Sequence, residues 1–102
     1  MNNVETTPIG WPKDKILTNQ ITELMQSTDT RDFIFTVSVQ GHGGYPTSNI
    51  IENPDIIIEG LSTEEQTAKY EYYAQQLFEM DQFVADLINA VNQLDEPTII
   101  AF

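Results

Sequence analysis

The stretch from Ser62 to Leu94 constrains the fold most, because it holds no glycine or proline and carries apolar side chains at helical spacing. These recur at alternating intervals of three and four residues, at Tyr70, Tyr73, Leu77, Met80, Val84, Leu87, Val91 and Leu94. The spacing predicts one amphipathic helix over residues 63–94, with Ser62 and Glu65 forming a capping box at its start. We interpret its apolar stripe as a face packed on a sheet, with a coiled-coil seam as the alternative.

Two apolar runs predict strands on either side of this helix. Residues 33–39 are β-branched and aromatic, and apolar or small on both faces, which is typical of a buried parallel strand. Residues 97–102 form a second such run. A first helix is predicted over residues 12–27, with Pro12 in its first turn. The order strand, loop, helix, strand predicts a βαβ crossover, and therefore an α/β fold with two parallel strands.

The predicted loop over residues 40–61 opens with three glycines around the single histidine, His42. Open α/β sheets bind ligands at the carboxyl ends of their strands, where this loop begins. An imidazole can donate a hydrogen bond to a phosphoryl oxygen, and glycines let the backbone approach a ligand closely. His42 is therefore a candidate ligand contact, with a solvated turn residue as the alternative. We expect Tyr45 to fix the loop by packing, and Trp11 to anchor the first helix.

Charge and composition exclude several functions. The formal charge of −12 disfavours binding to nucleic acid or to an anionic membrane surface. The absence of cysteine removes disulfides, a thiolate nucleophile and cysteine-based zinc sites. No apolar run approaches the roughly 20 residues of a transmembrane helix. The acidic residues of the second half lack the spacing of an EF-hand, and we interpret Glu71, Glu79, Asp81 and Asp86 as a solvated helix face.

Residues 33–46, a hydrophobic strand followed by Gln40, Gly41, His42 and Tyr45-Pro46, resemble a recurrent segment of lipoteichoic-acid-synthase-like phosphoglycerol transferases. These enzymes belong to the sulfatase and alkaline phosphatase superfamily. Gly10-Trp11-Pro12 resembles the family's preceding segment, and the long helix and residues 97–102 resemble its later helix and strand. The resemblance implies that residues 1–102 are one internal segment of a three-layer α/β/α, alkaline-phosphatase-like catalytic domain.

The resemblance also implies an activity for the parent protein. The family moves glycerophosphate from phosphatidylglycerol to a cell-envelope polymer or glycan, using a threonine nucleophile and a divalent metal, commonly manganese. Both the nucleophile and the metal ligands would lie outside this segment, which would hold no catalytic or metal-ligating residue and be inactive alone. His42 matches the family histidine that holds the phosphoglycerol head group. The implied location is the extracellular face of a bacterial cell membrane.

Three alternatives remain open at this point. The parent enzyme is a phosphoglycerol transferase, or another superfamily member such as a sulfatase or a phosphoethanolamine transferase, or the chain is a non-catalytic acidic α/β binding module. The nucleophile encoded upstream separates the first two, because sulfatases need a Cys or Ser there. An incomplete sheet would leave its edges uncovered, so self-association through those edges is a further expectation.

Overall fold

The computed structural model describes residues 4–102, and in that range the regular secondary structure consists of two helices, α1 (Ile16–Gln26) and α2 (Glu64–Asn92). Helix α1 begins later than the sequence predicted, because Pro12 forms an isolated antiparallel bridge with Thr6 rather than a helical turn. The turn from Asp14 into the helix is closed by the Leu17 backbone N–H, which donates to the Asp14 carbonyl at 2.8 Å.

Helix α2 is capped by Thr63, not by Ser62 as the sequence predicted. Thr63 has an extended backbone, and its hydroxyl accepts a hydrogen bond from the Gln66 backbone N–H at 3.1 Å. Glu64 and Glu65 follow in the first turn, where carboxylates interact favourably with the positive end of the helix dipole. The cap therefore lies one residue later than the predicted capping box.

The apolar core lies between the two helices. Its buried members are Met25 of α1 and Phe83, Leu87 and Val91 of α2. Burying side chains of this size contributes about 1.5–3 kcal/mol each. Half-buried apolar residues surround them: Leu17, Ile21, Ile34, Val84, Leu94 and Ile100. The second half of α2 is thus held by apolar burial.

The buried face of α2 differs from the predicted apolar stripe in the first half of the helix. Tyr70, Tyr73 and Leu77 are exposed, whereas Tyr72 and the amide side chains next to it, Gln75 and Gln76, are buried. The predicted stripe follows apolar residues. In the first half of α2, however, the buried face contacts polar groups of residues 40–61, so amide side chains are buried there. The sheet-packing interpretation is also wrong, because the described residues contain no sheet.

The predicted α/β fold is contradicted: residues 4–102 contain two helices and no strand, so neither the βαβ unit nor the three-layer α/β/α arrangement is present. Residues 33–39 and 97–102 lie outside regular structure and lack the ladder of backbone hydrogen bonds that defines paired strands. Phe33, Phe35 and Ile99 are 92, 80 and 97 % exposed. Alternation predicts a strand only if a neighbouring strand accepts its backbone hydrogen bonds, and none does so here.

The predicted self-association through sheet edges is also wrong, since residues 4–102 form no sheet that could have an edge. The chain is elongated, with a radius of gyration of 16.5 Å against about 13 Å for a compact domain of this length. No helix in the described range combines the length and apolar character needed to cross a bilayer.

The position of the α2 cap can be tested by substitution. We expect Thr63→Ala to lower the free energy of unfolding by about 1 kcal/mol, because the Gln66 N–H loses its acceptor. Urea unfolding followed by far-UV circular dichroism measures the change. Ser62→Ala is the matched control and should leave stability unchanged. An equal loss for the two variants, or a loss only for Ser62→Ala, would place the cap elsewhere.

Candidate functional site

The imidazole of His42 lies against the indole of Trp11. The ring centroids are 4.2 Å apart and the planes are inclined by 29°, a stacked arrangement. His42 is exposed and Trp11 is half-buried, so the stack lies at the surface. The face of the indole therefore covers one side of the imidazole. The sequence placed Trp11 as an anchor of the first helix, whereas the structure places its ring on His42.

A tight turn before α1 presents Trp11. The Thr7 N–H donates to the Trp11 carbonyl at 2.7 Å, and the Trp11 N–H donates to the Thr7 hydroxyl at 3.1 Å. Gly10 has φ +96°, a left-handed conformation that side chains disfavour. Thr7 is buried, so its hydroxyl fixes the turn from the inside. The glycine before Trp11 is therefore required by the backbone geometry.

The histidine loop is held closed by local hydrogen bonds and by aromatic contacts. The His42 N–H donates to the Val39 carbonyl at 3.1 Å, and the Tyr45 hydroxyl donates to the Gly41 carbonyl at 2.8 Å. The Tyr45 ring lies against Tyr72 and Tyr73 of α2, with centroids 5.8 and 5.7 Å away. Tyr45 thus fixes the loop by packing, as the sequence predicted.

The contact between His42 and Gly43 indicates which ring nitrogen carries a hydrogen. Nδ1 lies 3.2 Å from the Gly43 carbonyl oxygen, which can only accept. In this contact Nδ1 therefore bears the hydrogen, and Nε2 is left for a ligand. Nε2 donates a hydrogen bond only when both ring nitrogens carry a hydrogen.

The buried side-chain amide of Gln40 connects the histidine loop to the turn before α1 and to α2. Its Oε1 accepts from the Asp14 backbone N–H at 2.8 Å, and its Nε2 donates to Gln76 Oε1 at 3.0 Å and to Glu79 Oε1 at 3.2 Å. The Ser38 hydroxyl donates to Asp14 Oδ2 at 2.5 Å, which adds a second link to the turn. The segment that begins α1, the loop and α2 are therefore held together by directional bonds.

Lys13 is the cation of this network. Its Nζ lies 2.8 Å from Glu79 Oε1 and 3.3 Å from Glu5 Oε1, and Lys15 also pairs with Glu5. Burial lowers the pKa of Lys13, but hydrogen bonding and charge from Glu79 and then Glu5 outweigh it, so its pKa lies above the ordinary value. Hydrogen bonds from Lys15 and Lys13 hold the pKa of Glu5 below its ordinary range.

Sequence reasoning missed Glu79. It was interpreted as part of a solvated helix face, but it pairs with Lys13, Gln40 and Gln75. Nor did the sequence link His42 to Trp11, since their contact joins residues far apart along the chain. The sequence signal that could have indicated this contact is the motif Gly10-Trp11-Pro12, in which a glycine turn presents a tryptophan. Within residues 4–102 no three His, Cys, Asp or Glu side chains group closely enough to hold a metal ion.

Comparison with known proteins identifies the family. The family model described as Sulfatase matches residues 1–102, the whole chain. The chain therefore belongs to the sulfatase family, within the alkaline phosphatase superfamily. No curated protein and no solved structure shows significant similarity to it. The match confirms the superfamily implied by the sequence resemblance, which is a superfamily of enzymes.

The charge network predicts a pH dependence of stability. Glu5 has a lowered pKa in the folded state, so its contribution is present above its ordinary value of 4.5 and is lost as pH falls through the folded pKa. Lys13 has a raised pKa, so its contribution is complete below 10.5 and is lost as pH rises through the folded pKa. Urea midpoints across this range measure both losses.

Substitution of Glu79 isolates the alkaline loss from the titration of tyrosines. We expect Glu79→Gln to be less stable at neutral pH and to lose less further stability above pH 10.5, because Lys13 has lost its main anionic partner. Lys69→Met is the control, since Lys69 pairs with Glu65 on the exposed face of α2, away from Lys13. An alkaline slope in Glu79→Gln identical to that of the unmodified chain would contradict the assignment.

Proposed function

We propose that this chain is a segment of the catalytic domain of a sulfatase-family phosphoglycerol transferase. The enzyme moves glycerophosphate from phosphatidylglycerol to a cell-envelope polymer or glycan at the extracellular face of a bacterial membrane. In this proposal His42 holds the phosphoglycerol head group, and the nucleophile lies in another part of the enzyme. Membership of the sulfatase family supports the proposal at the level of the superfamily.

The observation that carries the proposal is the exposed His42–Trp11 stack. Nδ1 is engaged by the Gly43 carbonyl, so Nε2 can donate to a phosphoryl oxygen once the ring is protonated. The indole, whose ring centroid lies 4.2 Å away, packs against one face of the imidazole. A flat aromatic pair with one donor atom suits a small anionic head group that must be oriented rather than covalently modified.

The charge of the chain requires a hydrogen-bond donor at any site that binds a phosphodiester. A formal charge of −12 repels a phosphodiester, so a local donor has to offset the field. The ammonium groups of Lys13 and Lys15 are paired with Glu5 and Glu79. His42, exposed and stacked on a neutral ring, is not committed to a carboxylate in this way.

The family's divalent metal does not fit the residues described here. The range 4–102 brings together no group of carboxylates and imidazoles that could ligate it. The proposed role of this chain therefore does not include holding the metal. Its own contribution is to bind and orient: His42 donates to the phosphoryl group, Trp11 supports the ring, and Tyr45 keeps the loop closed.

The proposal predicts the effect of removing the imidazole from the intact enzyme. We expect His42→Ala to lower kcat/KM for a phosphatidylglycerol analogue about 10- to 100-fold, since a hydrogen bond to a charged group contributes about 1.5–3 kcal/mol. Metal content should not change. His42→Gln, which keeps a donor but no charge, should recover only part of the activity. Turnover assays and elemental analysis of the purified enzyme measure these effects.

Two controls complete this experiment. Thr47→Ala changes an exposed residue of the same loop and should leave kcat/KM unaltered. An aryl sulfate tested with the same preparations separates sulfatase chemistry from phosphoglycerol transfer. If His42→Ala turns over the lipid analogue as fast as the unmodified enzyme, His42 is not part of the site. If the enzyme hydrolyses only the sulfate ester, it is a sulfatase and not a phosphoglycerol transferase.

A further inference from the structure

The side chain of Met80 lies against the start of the histidine loop. A Cβ added to Gly41 would lie 3.3 Å from the Met80 sulfur and 3.8 Å from its terminal methyl carbon, so the thioether fills the space beside this glycine. Met80 is half-buried, whereas Met25 belongs to the buried apolar core. Of the two methionines in residues 4–102, Met80 is therefore the one that is partly exposed to solvent.

Two side chains of α2, one helical turn apart, contact the two residues that precede His42. Gln76 Oε1 accepts from Gln40 Nε2 at 3.0 Å. Four residues later on the same face of the helix, the Met80 sulfur packs beside Gly41. One hydrogen bond and one apolar contact therefore hold this segment on the helix. A change in the size or polarity of Met80 would act directly on the residue next to the imidazole.

Oxidation by a peroxide changes both the size and the polarity of a thioether. Hydrogen peroxide transfers one oxygen atom to the sulfur, the O–O bond breaks, the sulfur gives up two electrons, and the rest of the peroxide leaves as water. The product, methionine sulfoxide, is polar and chiral. The close contact with Gly41 leaves no room for an added oxygen on that side of the sulfur. Burying the new oxygen without a hydrogen-bond donor is also unfavourable, so the oxidised side chain turns toward water.

We propose that Met80 is an oxidation site that controls the position of His42. With the thioether reduced, the loop is held on α2 and the imidazole stacks on Trp11. With the sulfoxide, Gly41 loses its contact with the helix and the stack opens. Methionine sulfoxide reductases restore the thioether, so the change is reversible. The consequence for head-group binding rests on the proposed function, whereas the movement of His42 does not.

Nuclear magnetic resonance of the 102-residue chain in hydrogen peroxide tests this site. The sequence has one histidine and one tryptophan, so the ring signals of His42 and Trp11 are assigned without ambiguity. We expect the nuclear Overhauser effects between the two rings to disappear as Met80 is oxidised, with peptide mass spectrometry locating the added oxygen. Met80→Leu, which cannot be oxidised, should keep them in peroxide. Met25→Leu is the matched control and should lose them as the unmodified chain does.

Further measurements keep the outcome decisive. Met80→Gln, which places a polar group at this position without peroxide, should lose the same ring contacts. Far-UV circular dichroism should show that the helices persist after oxidation, because the change acts on the loop. Retained ring contacts after Met80 is oxidised overturn the proposal. So do general unfolding in peroxide, and a Met80 that stays reduced at a dose that oxidises free methionine.

The intact enzyme separates this proposal from the proposed function. Oxidation of Met80 should lower kcat/KM for the phosphatidylglycerol analogue by about as much as His42→Ala does. Met80→Leu should turn over the analogue normally and keep this activity in peroxide. If the ring contacts are lost on oxidation while turnover is unchanged, Met80 still controls the loop, and the role of His42 in holding the head group is wrong.

Discussion

The side-chain amide of Gln40 is the interaction on which the arrangement of this chain depends most. It accepts from the backbone before α1 and donates to two side chains of α2, so it joins three segments that are far apart in sequence. An amide has one accepting and one donating end, which fixes orientation as well as proximity. Rotating it would leave buried groups unsatisfied, at a cost of about 1–3 kcal/mol for each. Apolar burial holds the second half of α2, and the hydrogen bonds of this amide hold its first half.

The excess of negative charge is consistent with the buried contacts of the first half of α2, which are made by side-chain amides and one ammonium group. In a chain of charge −12, a fully carboxylate interior would be repulsive, whereas glutamines satisfy hydrogen bonds without adding charge. Lys13 lies between Glu79 and Glu5 and compensates the charge of both carboxylates. Desolvation of Lys13 opposes its charged state, and only the two carboxylates make that state favourable.

The helices were predictable from the sequence because their signals are local. Apolar spacing and the absence of breakers indicated α2, and the buried Leu87 and Val91 lie on the predicted stripe. The strands were predicted wrongly, because the β-branched and apolar character of residues 33–39 describes side chains and says nothing of a partner for the backbone. Gln76 was not predicted at all: a glutamine inside a helix reads as solvated unless the position of Gln40 is known. The histidine loop was identified from its glycines, but its contact with Trp11 depends on the folding of a distant turn.

Gln40 also relates the histidine loop to helix α2. Its side chain donates to Gln76 Oε1, and its backbone continues directly into Gly41 and His42. A Cβ added to Gly41 would lie 3.3 Å from the Met80 sulfur, so the loop passes close to α2 at this point and leaves little room for a side chain. The same buried amide therefore links the position at which the imidazole reaches the surface to the position of α2.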